Sequence, residues 1–84
     1  MNQFELEIRL PDKLVFSGPV QGLSAQAVDG RIGIFPGHAP LATELSPGRI
    51  VAELADGQEM GWQAGKGFLV VAGGRTAILT DSVS

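Results

Sequence analysis

Cysteine and tyrosine are absent from this 84-residue chain, and histidine and tryptophan occur once each. Basic residues number only six. Each scarcity closes a route to function. Without cysteine there is no disulfide scaffold and no thiolate metal site. A transition-metal centre resting on one imidazole, His38, would need several converging carboxylates. The nine acidic residues are spread along the chain, with no pair at the spacing of a shared site and no calcium-loop pattern. The basic residues are scattered from Arg9 to Arg75 against a net charge of −3, so no basic stripe is offered to nucleic acid or to an anionic membrane surface. No apolar run approaches the ~20 residues that cross a bilayer. The start, Met-Asn-Gln-Phe-Glu-Leu-Glu, lacks the basic region and apolar run of a signal peptide. A chain of this length has room for one core, so a single domain over residues 1–84 is expected.

What is present reads as strands and turns. Phe4, Leu6, Ile8 and Leu10 alternate with Glu5, Glu7 and Arg9, the period of a half-buried strand. Pro11-Asp12-Lys13 ends it. Leu14–Ser17 predicts a second strand, with Gly18-Pro19 as punctuation before a long third one, Val20–Val28. Asp29-Gly30 supplies a tight turn into Arg31–Ile34. Further strands are expected at Leu41–Leu45, Arg49–Leu54, Gln58–Ala64, Phe68–Val71 and Arg75–Thr80. Between them lie Ser46-Pro47-Gly48, which suits a type II turn, then Asp56-Gly57, Gly65-Lys66-Gly67 and Gly73-Gly74. No segment sustains a helical period. The expectation is an all-β antiparallel sandwich or flattened barrel of two roughly five-stranded sheets.

Catalysis finds no support. No strained nucleophile turn or oxyanion motif accompanies Ser17, Ser24 or Ser46. The glycine pairs are too short for phosphate cradles and read as turns. We therefore assign no catalytic residue, cofactor or metal. Phe68-Leu69-Val70-Val71-Ala72 breaks the alternation by being apolar on both faces. Either the strand is covered on both sides, or one face is a patch for a partner.

The densest constraint lies at residues 30 to 41, where two prolines, three glycines and the only histidine fall together. Pro36 and Pro40 each fix φ near −65° and remove an amide donor. Gly37 can take a positive φ. The segment reads as a short strand followed by a rigid, partly apolar corner. His38 within it is either a turn histidine bonded to nearby backbone or a contact residue at an interface.

The run Gly30-x-x-Gly33-Ile34-Phe35-Pro36-Gly37-His38-Ala39-Pro40-Leu41, followed by Pro47-Gly48, resembles the signature of the epsilon subunits of F-type ATP synthases. Phe16-Ser17-Gly18, Gly65-x-Gly67-Phe68-x-Val70 and Ile78-Leu79-Thr80-Asp81 fit the same pattern, so the resemblance covers essentially the whole chain. It implies a sandwich of two five-stranded sheets at the foot of the central stalk, between the gamma subunit and the proteolipid ring. Such a domain turns with the rotor, transmits torque in proton- or sodium-driven ATP synthesis and carries no catalytic residue. It is held at the cytoplasmic face of the bacterial inner membrane through the complex, without entering the bilayer.

Carried over by position, the gamma contact comprises Leu10, Phe35, Pro36, Gly37, His38, Ala39, Pro40 and Leu41. The proteolipid-ring contact comprises Val28, Asp29, Gly30 and Arg31. Many relatives carry an acidic residue where this chain has Arg31. The family's two C-terminal helices would begin where this chain reaches Asp81-Ser82-Val83-Ser84, so neither their inhibition of hydrolysis nor ATP binding is expected of it. A different class, a free-standing β-sandwich module for peptide or carbohydrate, remains the competing reading.

Overall fold

Over residues 3–84, the part that the computed structural model describes, the chain forms eight strands and no helix. They are β1 Phe4–Leu10, β2 Lys13–Ala27, β3 Gly30–Ile34, β4 Leu41–Leu45, β5 Gly48–Leu54, β6 Glu59–Ala64, β7 Gly67–Ala72 and β8 Arg75–Thr80. Pairing arranges them as two layers. One runs β4, β7, β8, β1 and the first half of β2; the other runs β3, the second half of β2, β5 and β6. The sandwich expected from the alternation is therefore what forms, with five strand positions in one layer and four in the other. It does not close into a barrel, because β3 and β6 end the four-stranded layer.

Three local expectations need correction. The sheet is not wholly antiparallel: β1 and β8 run parallel, from Glu5 opposite Arg75 to Arg9 opposite Leu79. Gly48 opens β5 without a positive φ, so Ser46-Pro47-Gly48 is not the type II turn expected. The break read at Gly18-Pro19 does not exist either, since β2 passes through it as one strand of 15 residues. Pro19 is tolerated there for a positional reason. The N–H of its partner Glu5 turns to Gly74 O on the β8 side (3.1 Å), so Pro19 places its nitrogen on the free edge, where a missing donor costs little.

A bulge between Ile8 and Arg9 also shapes β2. Ile8 faces Phe16 while Arg9 faces Leu14, leaving Val15 as the extra residue. The bulge resets the alternation and turns Leu14 outward.

The core lies between the layers. Leu6, Ile8 and Val20 meet Leu23, Ile34, Ile50, Leu69 and Ile78, all at most 3% exposed. The rings of Phe16 in one layer and Trp62 in the other stack across the gap, with centroids 5.4 Å apart and planes tilted by 59°. After β8 the chain changes layer. Ser84 exchanges two backbone hydrogen bonds with Gln63 (2.9 Å each), Gly65 N–H donates to Ser82 O (3.0 Å), and Val83 bridges Ala64. The final residues thus cover part of the β6 edge. Gly67 permits this path, because a Cβ there would collide with the Leu79 carbonyl.

Candidate functional site

The corner between β3 and β4 has the shape its sequence dictates. Pro36 and Gly37 are the central residues of a turn closed by His38 N–H donating to Phe35 O (3.1 Å), and Gly37 has φ 84°. Pro then Gly, with the glycine at positive φ, is the chemistry of a type II turn. The turn leaves Phe35 62% exposed, yet its ring is seated. It lies over Gly22 and Gly33, whose missing Cβ positions are 3.5 Å and 3.4 Å from ring carbons. His38 is exposed, with Nδ1 2.6 Å from Ala39 O. A carbonyl only accepts, so Nδ1 carries the proton there and Nε2 is left facing outward. Ala39 and Pro40 are exposed, while half-buried Leu41 packs against the core opposite Val71.

Leu10 does not join this group. It ends β1 opposite Lys13, whereas Gly37 borders a shallow cavity with Gln3, Phe4, Glu5, Gly74 and Arg75 at the start of β1. The seven residues of β1 separate the two places by roughly 20 Å. Of the eight positions expected at one contact, seven are contiguous and Leu10 stands apart.

The turn between β2 and β3 gathers Val28, Asp29, Gly30 and Arg31. Ala27 pairs with Gly30, so the two-residue loop is Val28-Asp29 rather than Asp29-Gly30. Val28 N–H donates to Glu44 O (3.2 Å), tying the turn to β4. Val28 and Asp29 are exposed, and the Arg31 guanidinium donates to Ser24 Oγ (3.2 Å). The turn therefore presents one apolar, one acidic and one basic side chain on a fixed backbone.

A third surface was only half legible from sequence. Leu69 and Val71 point into the core, while Phe68 (57% exposed) and Val70 (43%) point out with Ala72. Leu79 and the bulge-turned Leu14 are exposed on the same outer face. The registers set Glu44, Phe68, Leu79, Arg9 and Leu14 in one row across four neighbouring strands and the start of β2. A depression of about 440 Å³ on this face is lined by Pro11, Glu44, Lys66, Phe68, Leu79 and Asp81. The break in alternation at residues 68–72 was the signal for Phe68 and Val70. Nothing local marked Leu79, and Leu14 depends on a bulge.

Arg9 crosses this face paired with Glu7 (Nε to Oε1 2.9 Å, Nη2 to Oε2 3.3 Å). That hydrogen bond holds the Glu7 carboxyl below its ordinary value and raises the Arg9 guanidinium above its own. Among the described residues, no three of His, Asp and Glu converge as a metal site requires. The chemistry on offer is apolar contact with a charged border.

Comparison with known proteins gives the family of the chain and relatives of its fold. The family model described as ATP synthase, Delta/Epsilon chain, beta-sandwich domain matches residues 3–84. A protein named ATP synthase epsilon chain from Chlorobium limicola is 41% identical over 81 residues, which is 96% of this chain and 92% of that relative. Among solved structures, a chain of the Euglena gracilis mitochondrial ATP synthase (OSCP/F1/c-ring) superposes with a TM-score of 0.94 at 23% identity, over 100% of this chain. This chain spans 54% of that one. A chain of the Tetrahymena thermophila mitochondrial ATP synthase central stalk and c-ring gives 0.81 at 14% identity, over 95% of this chain and 64% of that one. At those identities the structural likeness is one of fold.

Proposed function

The chain belongs to the ATP synthase delta/epsilon family through its β-sandwich domain, and from that premise we propose that it is a non-catalytic rotor subunit linking the gamma subunit to the proteolipid ring. It is held at the cytoplasmic face of the membrane by these partners and enters no bilayer. The observation that carries this reading is the apolar outer face of Phe68, Val70 and Leu79, which nothing among the described residues covers. Lone domains of this size rarely leave apolar side chains clustered unless a partner takes them. The solved assemblies of similar fold contain the c-ring, and one is a central stalk.

The gamma subunit takes the Phe35–Leu41 corner together with the outer face, and Leu10 flanks the face through Pro11 at the depression. The proteolipid ring takes the Val28–Arg31 turn. Torque transmission needs a stiff body and slow dissociation, not a reactive group. An interface of more than ~1,000 Å² in total meets that need, and a corner set by Pro36 and Gly37 loses little entropy on docking. A carbohydrate module would present exposed tryptophan or tyrosine platforms, whereas tyrosine is absent and the one tryptophan, Trp62, is half-buried against Phe16.

The test is recovery of partners from membranes of the same organism on the tagged chain. Wild type should bring down both gamma and the ring. His38→Glu should lower gamma recovery, and Val28→Glu should lower ring recovery more than gamma recovery. Both variants should keep the circular dichroism of the wild type. Failure of the wild type to recover gamma would sink the proposal.

A further inference from the structure

β3 is paired on one side only, and the direction of its amides can be worked out. Val28 N–H goes to Glu44 O (3.2 Å) and Ser46 N–H to Gln26 O (2.9 Å), both on the β4 side of β2. The N–H and C=O of Ala27 therefore point to β3. Ala27 faces Gly30, Ala25 faces Ile32 and Leu23 faces Ile34, so those three β3 residues bond β2. The amides of Arg31 and Gly33 point away, and among the described residues no strand pairs with that outer edge.

The usual protections of an edge are proline, a bulge, lysine or a covering segment. β3 has no proline, its register with β2 has no shift, and its one charge, Arg31, is bonded to Ser24. The opposite edge of the same layer is different, because Ser82–Ser84 lies on β6.

We propose that the β3 edge pairs antiparallel with the β3 edge of a second copy of this chain, about a two-fold axis at Ile32. In that register Arg31 faces the second copy's Gly33, and Gly33 faces the second copy's Arg31. The outward amides of both copies then satisfy one another, and Ile32 lies beside its counterpart. The one charge on the strand meets glycine. Centring the axis on Arg31 instead would set two guanidinium groups opposite each other, and a one-residue slip would pair outward amides with inward ones. The registered strand is only five residues long, so the association is concentration-dependent. It belongs to the unassembled subunit, because the Val28–Arg31 turn opens directly into this edge. The restriction to the unassembled subunit rests on the proposed ring contact, whereas the pairing itself does not depend on the rotor assignment.

Sedimentation of the isolated chain over a wide concentration range tests it, and the mass should rise towards that of a dimer. Arg31→Pro removes an N–H that β2 does not use, so it should weaken association about tenfold or more while the thermal midpoint stays near that of wild type. Arg31→Ala keeps the N–H and should associate like wild type. The chain has no cysteine, so mild oxidation of Ile32→Cys should yield a dimer linked only at position 32. A wild type that stays monomeric throughout overturns the proposal, as does an Arg31→Pro chain that associates undiminished. If Arg31→Pro does not fold, the cross-link decides, and its absence counts against the pairing.

Discussion

β7 and β8 carry the same kind of residue on both faces, with opposite outcomes. Leu69, Val71 and Ile78 are at most 5% exposed, while Phe68, Val70 and Leu79 are 43% to 57% exposed. Composition alone does not separate the two sets; position in the pleat does. The inner set is covered by this chain's other layer. The outer set is bordered by Glu7, Glu44, Lys66, Arg75 and Asp81, and no other described segment lies over it. An apolar run in a strand thus divides between two faces, of which the described chain buries one.

The sharpest way to break this comparison is to truncate one side chain on each face. Leu69→Ala opens a cavity in a sealed core and should cost about 2–5 kcal/mol, a large share of the roughly 4–12 kcal/mol available to a chain of this size. Phe68→Ala, one residue away, should change the denaturation midpoint by no more than about 0.5 kcal/mol. The same variant should weaken gamma binding by about tenfold or more, if Phe68 is an anchor of that contact. Equal losses of stability from both would show that the outer face already works as core.

A smaller effect probes the inner face. Thr76 is 2% exposed, and its hydroxyl has no hydrogen-bond partner among the described residues. Thr76→Val should stabilise the fold by about 1 kcal/mol in urea denaturation, because it removes an unsatisfied buried hydroxyl at nearly constant volume. A loss of stability would mean that the hydroxyl is satisfied after all.

The smallest effect belongs to the outer face, at the exposed Glu7–Arg9 pair. The Arg9 hydrogen bond lowers the Glu7 carboxyl below its ordinary value. The contribution is therefore present above the unfolded pKa and is lost as pH falls through the lowered folded one. Arg9→Met should flatten the decline of thermal midpoint between neutral and acid pH, with little change at neutral pH. An unchanged slope would show that solvent screens the pair completely.

Most strands were legible because alternation is local. Phe4–Leu10, Arg31–Ile34, Leu41–Leu45 and Arg75–Thr80 lie where the pattern put them, to within a residue. The Pro36-Gly37 turn was legible for the same reason. The continuity of β2 was not, because Pro19 looks like a breaker until its nitrogen is known to lie on an edge. Nor was the parallel pairing of β1 with β8, which is a long-range choice without a local signature. The separation of Leu10 from the corner follows from register and strand length. Sequence order could not reveal it.

One strand belongs to both layers, and that has a mechanical consequence. Sliding one sheet of an ordinary sandwich over the other disturbs only side-chain packing. Here the same displacement must bend or stretch the covalent backbone of β2, which is shared by the two sheets. Val20 is the joint, lying opposite Phe4 of β1 on one side and Leu54 of β5 on the other. A body built this way resists shear like a beam with a continuous reinforcing bar, so a twist applied at one face reaches the other with little lag.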